Sequence, residues 1–207
     1  ALIDKNFPTI YPKKPFELTE EETAIMERLV TAFTDCEKLQ QHMMLLLNKG
    51  GLYKTFNGNL LYHGCVPLND DGSLMTVEIY GKKYKGKALY DVLDTYVRKA
   101  FFALNPVERE KGKDILWYIW SGPGSPLFGK SKMATLERYF LKEPETHKEV
   151  KNAYYGMLEN DTVVNSILQE FGLDPEHGHI INGHVPVHHM SGESPVKCNG
   201  KLLVIDG

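Results

Sequence analysis

Two histidines stand where a chain can hold them rigidly and still show them to solvent. His63 ends the apolar run "NLLYHG" with Gly64 directly after it, and His184 follows "HIING". In layered α/β proteins strand ends are where ligands collect, because the backbone is fixed there and the loops open outward. A glycine beside such a residue lets backbone approach an ion or substrate closely. A neutral imidazole suits first-row divalent metals. From the residues alone two readings stay open, a metal ligand and a hydrogen-bonded structural histidine. Eight histidines are present, and five fall between His177 and His189. His177, His179, His188 and His189 lack that setting, although His188-His189 follows it closely along the chain.

A second stretch advertises different chemistry. Within "WYIWSGPGSPLFGKS", Gly124 to Ser131 spells G-x-x-x-x-G-K-S, the pattern of a phosphate-cradling loop. Such a loop works by pointing consecutive backbone N–H groups at phosphate oxygens. Pro126 removes one of those donors and restricts Ser125 before it, while Leu127 and Phe128 add bulk without polarity. The loop also comes late, leaving too little chain for the strand–helix units that normally follow it. Nucleotide hydrolysis would require Lys130 to converge with Asp206 of "KLLVID". A Pro/Gly loop between packed elements is expected instead.

The elements that must position these residues follow from periodicity and punctuation. Residues 1–17 read as an extended lead-in. Thr19 and Glu22 form a capping-box signature. Met26, Leu29, Val30, Phe33, Cys36, Met43, Met44 and Leu47 then repeat at helical spacing up to Gly50-Gly51, which predicts one long helix over 19–48 with a buried stripe. Asn57-Gly58 between strand-like runs calls for a type I′ hairpin. A second hairpin turns at Gly81, and 87–103 reads as a helix. "DILWYIW" fits strand or buried helix. Short helices are expected over 132–140 and 147–157, and Asp161 can cap "VVNSILQEF", which Gly172 ends. "HIING" and "KLLVID" read as strands. The mix indicates α/β layers, with 1–50 as lead-in and helix and 51–207 as the remainder.

Composition narrows the function classes. The chain has 207 residues, 42% hydrophobic and 25% charged, with a net charge of −3 from 24 Lys+Arg against 27 Asp+Glu. No strong attraction to nucleic acid or to an anionic membrane is expected. Apolar runs such as "MMLLL" and "ILWYIW" fall far short of the ~18 residues of a spanning helix, and no signal-peptide pattern opens the chain. Three cysteines, Cys36, Cys65 and Cys198, without C-x-x-C spacing argue for a reducing, cytoplasmic setting. A start at Ala1 and a stop just after an apolar strand suggest a piece of a longer polypeptide.

Several longer motifs carry a resemblance. "NLLYHGCVPLNDDGS", "ILWYIWSGPGSPLFGK", "TLERYF", "HIINGHVPV" and "GESPVK…GKLLVIDG" resemble, in that order, the class III fructose-1,6-bisphosphatases of bacteria. The likeness runs from about residue 55 to the end and is expected to include the leading helix. It implies a distant relation to the calcineurin-like metallophosphoesterases and part of their helix-flanked β-sandwich. It also implies a manganese-dependent phosphatase that converts fructose 1,6-bisphosphate to fructose 6-phosphate in gluconeogenesis. On this resemblance His63 and His184 match two late histidine ligands of one metal, with a further part in proton transfer to the leaving oxygen. In "GESPVK", Ser194 and Lys197 are candidates for the sugar phosphate, a solvated hairpin tip being the alternative.

The chain departs from that pattern in one respect. Such sites also use an early D-x-H, a G-D and a G-N-H, and none occurs here; "NGNLLYH" has Gly58-Asn59 without an adjacent histidine. The expectation is therefore the second half of a catalytic domain, needing a missing N-terminal half as partner, binding metal poorly and hydrolysing little alone. A homo-oligomer is compatible with this. Two alternatives remain: a phosphoesterase of other specificity, and a non-catalytic scaffold or regulatory segment pairing with another chain.

Overall fold

A computed structural model describes residues 1–206; the side chain of His189 lies outside what is described. The chain divides into two compact units. One comprises Ala1–Gly51 with Thr135–His147, the other Leu52–Ala134 with Lys148 onward.

The first unit holds α1 (Glu20–Thr34) and α2 (Glu37–Lys49). Thr19 caps α1 in the expected capping box, its hydroxyl accepting from Glu22 N while the Glu22 carboxylate accepts from Thr19 N. The single long helix is not what forms. Thr34 Oγ1 bonds back to the Val30 carbonyl and to Asp35 Oδ1, and Cys36 takes an extended conformation as the cap of α2. Three residues of weak helix propensity in a row let side chains compete for the backbone, and the helix breaks. The stripe expected to be core is not buried on α1: Met26, Leu29, Val30 and Phe33 are about half exposed or more, and of α2 only Leu47 is buried. Within this unit the lead-in pairs near its start with the short helix of Thr135–Phe140 and the residue after it, through Ile3 N to the Phe140 carbonyl and a Leu2–Leu141 bridge.

The second unit carries the sheet. Its strands are β1 (Tyr53–Phe56), β2 (Asn59–Tyr62), β5 (His179–Asn182), β6 (Val196–Lys197) and β7 (Leu202–Val204), in spatial order β1-β2-β5-β7-β6. A separate hairpin pairs β3 (Val77–Ile79) with β4 (Lys82–Tyr84). Asn57 (φ 49°) and Gly58 (φ 76°) make the turn between β1 and β2, both in the left-handed region a type I′ turn demands. β2, β5 and β7 are parallel, in the register Leu60↔Ile180↔Leu202, and their partners at the two edges are antiparallel.

Alternation along the strands sets the core. Leu60, Tyr62, Ile180, Asn182, Leu202 and Val204 face one way and are buried. Against them pack Val163, Val164, Ile167 and Leu168 of the helix Asp161–Glu170, with Tyr90 of α3 (Gly86–Phe102). Asn160 rather than Asp161 caps that helix, its carboxamide accepting from Thr162 N and Val163 N. On the other face Leu61 is 37% exposed and Ile181 and Leu203 are half-buried. "DILWYIW" proves helical, in α4 (Pro106–Ser121), because Asn105 caps it and Pro106 sits at its first position. α3 and α4 form an antiparallel pair whose Leu89, Leu93, Ile115 and Ile119 share a second cluster with Ile79. Gly112 makes the closest approach: a Cβ there would lie 2.3 Å from Ala100 N. The fold is mixed α/β; two sheets packed face to face are not present among the described residues.

Candidate functional site

Because β2, β5 and β7 are parallel neighbours, the residues that follow them emerge together at one edge of the sheet. His63 follows β2, Gly183-His184 follow β5, and Ile205-Asp206 follow β7. This is the carboxyl edge, where open α/β sheets place their ligands. The two imidazoles meet there: His63 Nε2 lies 2.9 Å from His184 Nδ1.

The chain fixes both rings by backbone contacts. The His63 carbonyl accepts from Gly183 N (2.9 Å) and the Gly64 carbonyl from Asn182 Nδ2 (3.0 Å). Cys65 N donates to the Pro126 carbonyl at 2.8 Å, and the Tyr90 hydroxyl donates to the Cys65 carbonyl at 2.9 Å. Gly64 is required by the close pass of the Pro126–Leu127 backbone, since a Cβ there would lie 2.5 Å from the Pro126 oxygen. His184 sits at φ 72°, a left-handed conformation that costs a non-glycine residue on the order of 1 kcal/mol or more.

His184 Nε2 lies 2.9 Å from the Phe128 carbonyl oxygen. A carbonyl can only accept, so Nε2 carries the proton and Nδ1 of the neutral ring offers a lone pair. His63 Nε2 then donates to it. Burial first, and then the neighbouring His184, hold the His63 imidazolium below its ordinary pKa of 6.5, while Asp206 pulls the other way. Neutral imidazole is the form a metal takes. Two nitrogens bound at about 2.1 Å and a right angle to one ion lie about 3 Å apart, so the observed spacing fits two neighbouring ligands. To hold a cation His63 would have to carry its proton on Nδ1, while the Phe128 carbonyl already orients the His184 ring. Among the described residues no group of three or more His, Cys, Asp or Glu is gathered for a metal.

The G-x-x-x-x-G-K-S loop belongs to this site with the opposite polarity to a phosphate cradle. Its N–H groups are spent internally: Gly129 N on the Ser125 carbonyl, Leu127 N and Phe128 N on the Ser125 hydroxyl, Ser131 N on the Val150 carbonyl. What it turns toward the strand ends are carbonyls, those of Pro126 and Phe128. Lys130 Nζ is paired with Glu149 at 2.9 Å.

The remaining candidates are placed as follows. Lys197 Nζ pairs with Glu193 Oε1 at 2.9 Å, and the Ser194 hydroxyl accepts from Val196 N. His177 bonds the Asp174 carboxylate on an exposed turn, which raises its pKa. His179 and His188 are exposed. Burial pushes the Cys65 thiol up to about 12, and burial followed by Asp161 pushes Cys198 to about 11, so neither is a nucleophile at neutral pH. Asn182 and the Phe128 carbonyl have no place in the sequence reading, and Asp206 enters it only as the partner Lys130 would need in a nucleotide site, not beside the histidines. Asp206 had a signal, a strand exit like the other two; a backbone carbonyl has none.

Comparison with known proteins bears on what this edge serves. The family described as Firmicute fructose-1,6-bisphosphatase matches residues 1–207. Relatives named fructose-1,6-bisphosphatase class 3 include those of Alkaliphilus metalliredigens (52% identical over 209 residues, 31% of its length) and Clostridium botulinum (53% over 207 residues, 31%). That of Listeria monocytogenes is 50% identical over 207 residues, 32% of its length. Each comparison covers 100% of this chain, which therefore spans about a third of the curated relatives it matches. No solved structure matches it. A match along every position, with about half the residues identical, leaves one conclusion: the chain belongs to the Firmicute fructose-1,6-bisphosphatase family.

Proposed function

We propose that this chain supplies the two-histidine arm of a divalent-metal phosphomonoesterase centre that converts fructose 1,6-bisphosphate to fructose 6-phosphate and phosphate. The observation that carries the reading is the 2.9 Å meeting of His63 Nε2 and His184 Nδ1, with the second ring's tautomer set by the Phe128 carbonyl. When bound, a divalent ion supplies charge neutralisation and an activated water, the two things phosphate monoesters need. His63 and His184 would hold it. Manganese, which accepts imidazole beside oxygen ligands, is the ion we favour. A gluconeogenic role follows from the reaction, and a cytoplasmic setting is supported by three free cysteines. Among the described residues no helix is long and apolar enough to cross a membrane.

Two ligands make a weak site, so we infer that the other ligands come from the part of the relatives' length this chain does not span. The half-exposed sheet face with Leu61, Ile181 and Leu203 supports a second sheet there, in the manner of a metallophosphoesterase sandwich, since parallel strands are normally covered on both faces. Ser194 and Lys197 remain candidates for the sugar phosphate once Glu193 is drawn off Lys197.

The test is twofold. In a polypeptide of the relatives' full length, His63→Ala and His184→Ala should each lower kcat/KM by more than about 100-fold, beyond the usual loss for an outer-shell residue. The 207-residue chain alone with manganese should release almost no phosphate. Turnover near the enzyme median of about 10 per second would refute the half-site.

A further inference from the structure

α1 turns toward solvent a surface that a helix of its length does not sustain unaided. Met26, Leu29, Val30 and Phe33 fall at i, i+3, i+4 and i+7, the spacing of a helix that lays one face into an apolar groove. Val30 is 57% exposed and Phe33 66%. A hollow of about 440 Å³ runs along the same stripe, lined by Leu18, Thr23, Met26, Glu27, Val30 and Thr31. With 15 residues α1 sits at the length where isolated helices are marginal in water, and none of its residues is buried. Such a helix owes its stability to packing of its apolar face, and a contiguous apolar surface of this kind marks an interface.

Charge decides between a second copy and a different occupant. The first turn of α1 carries Glu20, Glu21 and Glu22, Glu27 follows, and its last turn holds no basic residue. Arg28 is the only cation along it. Two copies packed in parallel would set acidic first turns together. Packed antiparallel, each acidic turn would meet a last turn with nothing to neutralise it. Like charges across an interface cost affinity, and opposite ones select the partner, so the occupant is an apolar surface rimmed by Lys or Arg. Its source is at hand in the relatives, of whose length this chain spans 31% or 32%. We infer that α1 docks, apolar face down, into a basic-rimmed groove formed by the part of the family polypeptide outside this chain. The inference stands apart from the phosphatase reading, since neither the histidines nor a substrate enters it.

The experiment compares deuterium exchange at α1 in the 207-residue chain and in a polypeptide of the relatives' full length. The helix should exchange about 100-fold more slowly in the long polypeptide. Val30→Lys should abolish that gain there, yet leave the melting temperature of the short chain unchanged, because the residue is exposed in it. Glu20→Gln with Glu21→Gln, which disturbs no packing, should speed α1 exchange severalfold in the long polypeptide at low salt, and this keeps the test sound if the lysine variant misfolds. Carbodiimide, which joins carboxylates to amines in contact, should link Glu20, Glu21 or Glu27 to lysines outside this chain. Mixing isotope-labelled and unlabelled protein separates links within one polypeptide from links between copies. Links between copies, or a short chain that dimerises with α1 protected, overturn the inference in favour of self-association. Equal exchange of α1 at the two lengths overturns it outright. Manganese titration of the same samples scores the histidine reading separately: absent manganese binding with α1 protected defeats that reading and not this one.

Discussion

His184 is asked to do two things that conflict. Its backbone lies at φ 72°, where glycine is at ease, yet its ring must be present to meet His63 and the Phe128 carbonyl. Strain of this kind persists where surrounding contacts hold it. His184→Gly should therefore be more stable than His184→Ala by about 1 kcal/mol, measured by urea unfolding, and both should lose manganese affinity. An alanine variant as stable as the glycine variant would show that the backbone here is unstrained. The sequence announced this residue through the "NGH" strand exit. It could not announce that a carbonyl of the "SPLFGK" loop orients the ring, because every residue owns such a carbonyl and only the fold aims it. The same loop misled by its letters. N–H groups that a phosphate cradle keeps free are here consumed by Ser125, a residue 0% exposed.

Among the elements, the α3–α4 pair makes the clearest demands. Gly112 has no room for a methyl against Ala100 and Tyr96, so Gly112→Ala should cost about 1–3 kcal/mol through overpacking. Gly156, with nothing within 4 Å of a built Cβ, should accept alanine within about ±0.5 kcal/mol. Thermal unfolding of the two variants side by side checks this. The pair is also tied by Glu108, which bonds Lys99 of α3 and Lys111 of α4. Those two partners, Lys99 first, pull its carboxyl from 4.5 to about 2. A carboxyl depressed in the folded state contributes stability above its unfolded pKa and loses it as pH falls through the folded value. Stability should thus decline between about pH 4.5 and 2, and Glu108→Gln should remove that portion of the decline. An unchanged acid limb would mean the clasp is broken in solution. Hairpin turns, the capping box and the strands were legible because each rests on two or three adjacent residues. The break at 34–36 and the helicity of "DILWYIW" were not, since side-chain competition and burial decide them.

At the scale of the whole molecule the two units differ in how much each buries. α1 has no buried residue, whereas the sheet unit holds nearly the entire core. Backbone amides of α1 should exchange with deuterium far faster than those of β2, β5 and β7, read by mass spectrometry. Equal protection would mean that something covers Met26, Leu29, Val30 and Phe33 in solution. α/β layering could be read from the alternation of element signals. Which strands become neighbours could not, because β2 and β5 are joined by residues far apart in sequence whose pairing depends on the helices between them.

The pairing Leu60↔Ile180↔Leu202 has a consequence for how such chains can vary. Side chains alternate along a strand, so one residue gained or lost inside β5 turns Asn182 out of the core and moves His184 off the ring it meets. Every letter of the site would survive such a change, and the site itself would vanish. Loops between the strands can lengthen at small entropic cost. Among natural variants, counting should therefore be conserved inside the strands and free between them.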